Sequence, residues 1–238
     1  MSVPTPPFAR ELELLEAGEL NLVAQLAESS NLTFVLEAVR GGEYGWAVYK
    51  PERGERPLHD FAPGLHARER AAFLLSEHLG WHIVPPTVVR EDGPFGVGSL
   101  QWYIDNDGSH YLQLLESRPD LHEQFRRMAV FDLLSNNTDR KSGHVLLDAD
   151  GGVWGIDHGL CFSAEPKLRT VIWDFAGEEI DAGLLAAVEP LIGGIPGDIA
   201  ALLNPAEVAA LQSRAARIVR LPHLPHPRSH YHYPWPLV

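Results

Sequence analysis

Two aspartates, Asp139 and Asp157, stand on either side of one short hairpin, and this pairing constrains the chain more than any other feature. The stretch from Asn136 to Phe162 reads NNTDRKSGHVLLDADGGVWGIDHGLCF. It predicts a loop carrying Asp139, a strand, a turn at Asp148–Gly152, and a return strand ending in Ile156-Asp157-His158-Gly159. Turn preference accounts for the Asp and Gly residues at 148–152. It does not account for an aspartate on each side at the opposite end. A hairpin folds Asp157 back beside Asp139 and His144, so all three can face one centre, with Lys141 two residues after Asp139. A loop carboxylate, a further ligand, a second carboxylate before Gly and a nearby cation are the parts that phosphoryl transfer requires.

Upstream, LTFVLEAV, the turn Arg40–Glu43 and YGWAVYK read as a β-hairpin that Pro51 closes. Lys50 ends its second strand. HARERAAFLLSEHLG follows as a helix stopped by Gly80, and Glu69 on that helix can pair with Lys50 and hold it toward nucleotide phosphates. IVPPTVV and GVGSLQWYI read as strands, and residues 8–28 as a short amphipathic helix ended by the polar cluster Glu28–Asn31. DNDGS after Ile104 is a polar break. Beyond it, Asp120 is expected to cap a helix over LHEQFRRMAVFDLLSN, whose apolar face holds Leu121, Phe125, Met128, Ala129 and Leu133. The remainder is helical from Asp181, with Asn204-Pro205-Ala206-Glu207 as a capping sequence. The expected architecture is α+β, with a β-rich N-lobe carrying one helix over 1–104 and a mainly helical C-lobe over 105–238.

With 45% hydrophobic residues, the 238-residue chain can bury a substantial core. Its net charge of −13 repels nucleic-acid phosphate and anionic lipid, which argues against either as a partner. No stretch reaches the roughly 20 apolar residues of a membrane span. Cys161 is the single cysteine, so a reducing, cytoplasmic setting is expected; between Leu160 and Phe162 it reads as a core residue. Trp173 and Phe175 read as core anchors, and Lys167 and Arg169 as a solvated basic turn, with anion binding as the alternative. The Pro-, His- and aromatic-rich tail from Pro222 reads as a packed or flexible extension rather than a metal site.

The segment NTDR followed by IDHGLCF resembles the catalytic core of the phosphatidylinositol 3-/4-kinase-like superfamily, notably type II phosphatidylinositol 4-kinases and their bacterial kinase-like relatives. VYKP at Val48–Pro51, RERAAFLL around Glu69, and VPPTVV followed by GSLQWYI are similar to further parts of that pattern, over about residues 32–175. The resemblance implies a two-lobed protein-kinase-like fold, ATP with Mg²⁺ or Mn²⁺, and transfer of the γ-phosphate to a hydroxyl of a soluble cyclitol or sugar, a lipid headgroup or a protein. It implies Asp139 as catalytic base or substrate-orienting carboxylate, Asp157 as the main metal ligand and Lys50 as phosphate anchor. His144 is a candidate second ligand, and Lys141 matches instead the protein-kinase pattern, in which a Lys two residues after the base contacts the transferring phosphate. Gln101, Trp102, Tyr103 and Ile104 fall at the family's adenine-contacting hinge, and Leu146 and Ile156 at its nucleotide site. The chain departs from the pattern in having His144 where the family usually has Asn, and a short Gly-Gly turn in place of a glycine-rich loop. A nucleotide-binding pseudokinase and a kinase fold that transfers AMP are the alternative readings.

Overall fold

The computed structural model describes residues 7–26 and 31–238. They fall into two compact units: residues to Arg70 with Pro85–Tyr103, and Ala71–Val84 with Ile104–Val238.

The first unit is built on an antiparallel sheet of five strands, β1 (Glu19–Gln25), β2 (Phe34–Arg40), β3 (Glu43–Pro51), β4 (Thr87–Arg90) and β5 (Gly98–Trp102), in the order β1-β2-β3-β5-β4. Strands β2 (Phe34–Arg40) and β3 (Glu43–Pro51) form the expected hairpin. Gly41 and Gly42, both at positive φ (59° and 87°), make its two-residue turn, a conformation that costs residues with a Cβ. Phe34, Leu36, Ala47 and Tyr49 point to one face, where they pack with Leu15, Val88 and Leu100. Helix α1 (Ala9–Ala17) contributes the buried Leu14 and Leu15 to this unit.

The expected helix over 8–28 is therefore half as long as its pattern suggested. Gly18 leaves the helix in extended backbone, and β1 (Glu19–Gln25) pairs with β2 from Glu19↔Val39 to Gln25↔Phe34. Ladder hydrogen bonds on β2, unavailable to a local pattern, outweigh helical spacing here. The cluster expected to end that helix lies, apart from Asn31, outside the described residues.

Strand β4 is confined to Thr87–Arg90, because Pro85 and Pro86 have no N–H to give a ladder. Strand β5 (Gly98–Trp102) pairs with both β3 and β4. Period-two alternation puts Lys50 and Gln101 on the face opposite Tyr49 and Leu100. Helix α2 (Leu65–His78) carries Glu69 in this unit.

The second unit is mainly helical. Helix α3 (Tyr111–Ser117), which the sequence reading did not anticipate, buries Tyr111 and Leu114. Asp120 caps nothing: it pairs with Arg118 at 2.6 Å, and the chain makes a 3₁₀ turn at Pro119–Leu121 before α4 (His122–Ser135). Helix α4 is buried on more than one face, with Val130, Phe131 and Leu134 inside as well as Phe125 and Met128. The second hairpin is present as β6 (Val145–Leu147) and β7 (Val153–Gly155). Beyond it lie α5 (Ala182–Val188), capped by Asp181, the single turn α6 (Gly197–Ala200), and α7 (Pro205–Arg220). The capping box on α7 is complete: Asn204 accepts from Ala206 and Glu207 N–H, and Glu207 accepts from Asn204 N–H at 3.0 Å. Among the described residues no helix is long and apolar enough to cross a membrane.

Candidate active site

Helix α4 ends at Asn136, whose left-handed backbone (φ 53°, ψ 51°) turns the chain into the Asp139 loop. The Asn136 amide donates to the Ser163 and Glu165 carbonyls at 2.9 and 2.7 Å, and its Oδ1 accepts from Lys167 N–H. Thr138 donates through N–H and Oγ1 to the Leu160 carbonyl. These bonds fix the loop before the hairpin to the segment after it. Asn137 Oδ1 accepts from Asp139 N–H at 3.0 Å, a local turn that sets the approach of Asp139.

Arg140 organises the centre and was not recognised in the sequence. Its side chain is fully buried and pairs with the equally buried Asp132 of α4 at 3.0 Å. Its Nη1 donates to the His144 and Ile156 carbonyls at 3.0 and 2.8 Å, and Nη2 lies 2.7 Å from His158 Nε2. Asp132 also accepts from Asn137 Nδ2 and Thr170 Oγ1. One guanidinium thus holds the two backbone positions that present His144 and Asp157. Gly155 leaves room for it, since a Cβ there would lie 3.1 Å from Arg140 Nη2. The available sequence signal was an acid, Asp132, set between apolar residues on a buried helix.

On this frame the predicted residues of the second unit come together. Lys141 Nζ lies 3.3 Å from Asp139 Oδ2. His144 Nδ1 is 2.9 Å from the Asp139 carbonyl, which can only accept, and 3.4 Å from Lys141 N–H; the shorter contact places a proton on Nδ1, so Nε2 is the nitrogen left to bind an ion when the ring is neutral. Nε2 faces Asp157 Oδ2 at 3.1 Å. Asp157 itself is at φ 64°, a left-handed backbone that Asp tolerates better than most residues. Burial holds the Asp139 carboxyl above the usual carboxylate range, and the Asp157 charge adds to this; Lys141 and Arg169 offset it in part.

An imidazole that donates Nδ1–H to a carbonyl presents the tautomer used by metal-bound histidines. With the Asp157 carboxylate it offers two adjacent donors. Among the described residues no three His, Cys, Asp or Glu side chains are grouped to cage an ion. Two donors fit an ion that takes its other ligands from phosphate oxygens and water. A nitrogen donor suits Mn²⁺ better than Mg²⁺.

In the first unit, Lys50 Nζ pairs with Glu69 Oε1 at 2.8 Å, and the Glu69 side chain is 4% exposed. Gln101 is buried and donates to Thr87 Oγ1 at 2.8 Å. Trp102 packs on the sheet core above Gly45, where an added Cβ would lie 2.0 Å from the indole. Tyr103 is exposed, with its N–H donated to the Trp46 carbonyl. In the second unit Ile104, Leu146 and Ile156 are half-buried. Phe175 and Cys161 are buried core residues, and Lys167 pairs with Glu165 at 3.3 Å.

A β-rich unit followed by a mainly helical one bearing a carboxylate loop and hairpin is the two-lobed fold of kinases. The Helicobacter pylori proinflammatory kinase CtkA superposes with a TM-score of 0.52 over 87% of this chain and 94% of its own, at 13% identity. Hydra Fam20, solved with sugar, gives 0.51 over 92% and 90%, also at 13% identity. The family profile described as phosphatidylinositol 3- and 4-kinase matches residues 69–179. Protein Rv2133c of Mycobacterium tuberculosis is 39% identical over 95% of both chains. Phosphatidylinositol 4-kinase gamma 4 of Oryza sativa subsp. japonica is 28% identical over 65% of this chain and 30% of its own length. The chain belongs to one family with Rv2133c, and its match to the phosphatidylinositol 3- and 4-kinase profile, with the kinase fold, makes that family one of kinase-like phosphotransferases.

Proposed function

We propose that the chain is an active ATP-dependent kinase with an alcohol group as acceptor, assisted by Mg²⁺ or Mn²⁺. The observation that carries this reading is the arrangement in the second unit: a desolvated Asp139 beside Lys141, and an Asp157–His144 donor pair 3.1 Å apart whose backbone Arg140 holds through the His144 and Ile156 carbonyls. Asp139 orients the acceptor hydroxyl and takes its proton as the oxygen bonds to the γ-phosphorus. The bond from that phosphorus to the bridging oxygen breaks, and ADP leaves with the electron pair. Lys141 draws negative charge off the transferred group. Lys50, steadied by Glu69, holds the α- and β-phosphates. Asp157 and His144 Nε2 would hold the divalent ion, which when bound would supply neutralisation of the phosphate charge.

Asp139→Asn and Asp157→Asn are expected to lower turnover at least 100-fold, in the range of a lost general base or metal ligand, while thermal melting stays near wild type. Lys50→Ala is expected chiefly to raise the KM for ATP. Steady-state kinetics with γ-labelled ATP, beside a melting curve for each variant, checks this; wild-type turnover in either aspartate variant overturns it. The product's mass separates phosphoryl from adenylyl transfer.

The second reading, a nucleotide-binding pseudokinase, is favoured by the His144–Asp157 contact, which as an imidazolium–carboxylate pair would hold the site closed to an ion. ATP raising the melting temperature without metal dependence and without turnover would decide for it.

A further inference from the structure

We propose that the C-terminal tail builds the acceptor subsite beside Asp139, and that this subsite takes a soluble hydroxylated ring bearing an anionic group, such as a sugar phosphate. The inference rests on Asp139 acting at the acceptor hydroxyl. A cavity of about 620 Å³ is lined by Asp139, Arg169, Tyr231, Tyr233, Trp235 and Leu237, with their neighbours in the tail. That volume suits a small molecule rather than a protein surface.

The tail is anchored to the very segments that carry the polar side of the cavity. Ser142 N–H, next to Lys141, donates to the Leu237 carbonyl at 2.7 Å. Thr170 N–H, next to Arg169, donates to the His232 carbonyl at 3.0 Å, and Trp173 Nε1 donates to the same oxygen at 3.2 Å. The Trp173 ring packs edge-on to His232 and against Tyr233. With the backbone so tied, the tail still leaves Trp235 87% and Tyr231 72% exposed, the two most exposed large apolar side chains among the described residues. Aromatic faces held open beside a polar reacting group match the C–H-rich faces of a sugar or cyclitol, whose hydroxyls can meet the tyrosines and Asp139.

Arg169 supplies the charge preference. It is exposed and its field reaches Asp139, so it adds positive charge to this cavity on a chain of net −13. An anionic substituent on the ring is complementary to it. The same overall charge disfavours a vesicle surface as the source of that anion.

Calorimetric titration of the full chain with glucose 6-phosphate tests the proposal, with glucose, a serine peptide and phosphatidylinositol vesicles as the other arms. The expected result is saturable binding of glucose 6-phosphate, at least tenfold weaker for glucose. Trp235→Ala and Arg169→Gln are each expected to weaken it at least tenfold while melting like wild type. No binding of glucose 6-phosphate, equal binding by wild type and both variants, or preference for the peptide or vesicles overturns the subsite. A melting shift of the wild type with ATP is measured in parallel. An ATP shift without sugar-phosphate binding overturns the subsite alone, whereas sugar-phosphate binding without an ATP shift counts against the kinase reading and leaves the subsite standing.

Discussion

His144 carries the choice of metal. Its Nδ1 is committed to the Asp139 carbonyl, so a metal at the Asp157 carboxylate meets an imidazole nitrogen rather than an oxygen. Mn²⁺ is therefore expected to support faster turnover than Mg²⁺, and His144→Asn, which offers an amide oxygen, to shift the preference toward Mg²⁺. Turnover across a titration of each ion, in both proteins, checks this. Asp139 sets the pH response. Its pKa is raised in the folded chain, so its contribution to stability is present below the unfolded value and is lost as pH rises through the folded one. Catalysis requires the ionised form. The acidic limb of kcat/KM is thus expected above the ordinary Asp value of about 4, and urea unfolding of Asp139→Asn should vary less with pH there than wild type. Arg140 is the structural counterpart. Replacing it with Met leaves Asp132 buried and charged without its partner, a loss expected to be about 3–5 kcal/mol, read from urea midpoints.

Asn136 and Asn204 show how short sequence signals place whole elements. Asn136 ends α4 in a left-handed conformation that Gly also adopts, yet its side chain ties three loop positions. Asn136→Gly is expected to lose about 1–3 kcal/mol despite its suitable backbone, because the bonded carbonyls and N–H lose their partners. Asn204→Ala removes the cap of α7 and is expected to cost about 1 kcal/mol. Chemical denaturation measures both. Elements defined by such local chemistry were legible: the β2–β3 hairpin from Gly41-Gly42, the β6–β7 hairpin from its Asp and Gly turn, and α7 from its capping box. Strand β1 was not, since only the free edge of β2 decides that Glu19–Gln25 is extended. Asp120 misled for a related reason: Arg118, two residues away, took the carboxylate that a helix N-terminus would have used.

Across the whole molecule, net charge and site location point the same way. With −13 charges, the chain is expected to sediment apart from anionic phosphatidylserine vesicles at physiological salt, and co-sedimentation there would argue for a membrane substrate. The sequence alone determined the class: Asp139 and Asp157 bracket a hairpin at fixed spacing, and Lys50 ends a strand ahead of a helix bearing Glu69. Those are local patterns, and local spacing specifies which residues a turn or helix can bring together. Only the tertiary structure revealed the buried Asp132–Arg140 pair that holds the loop and hairpin, and the return of Tyr231–Leu237 to the side of Asp139. Asp132 and Arg140 are only eight positions apart, but their pair acts through partners up to 38 positions away, at Ile156, His158 and Thr170, and the tail returns to Asp139 across almost a hundred. Such contacts follow from how the core packs and from which backbone groups need partners, and no short-range pattern encodes them.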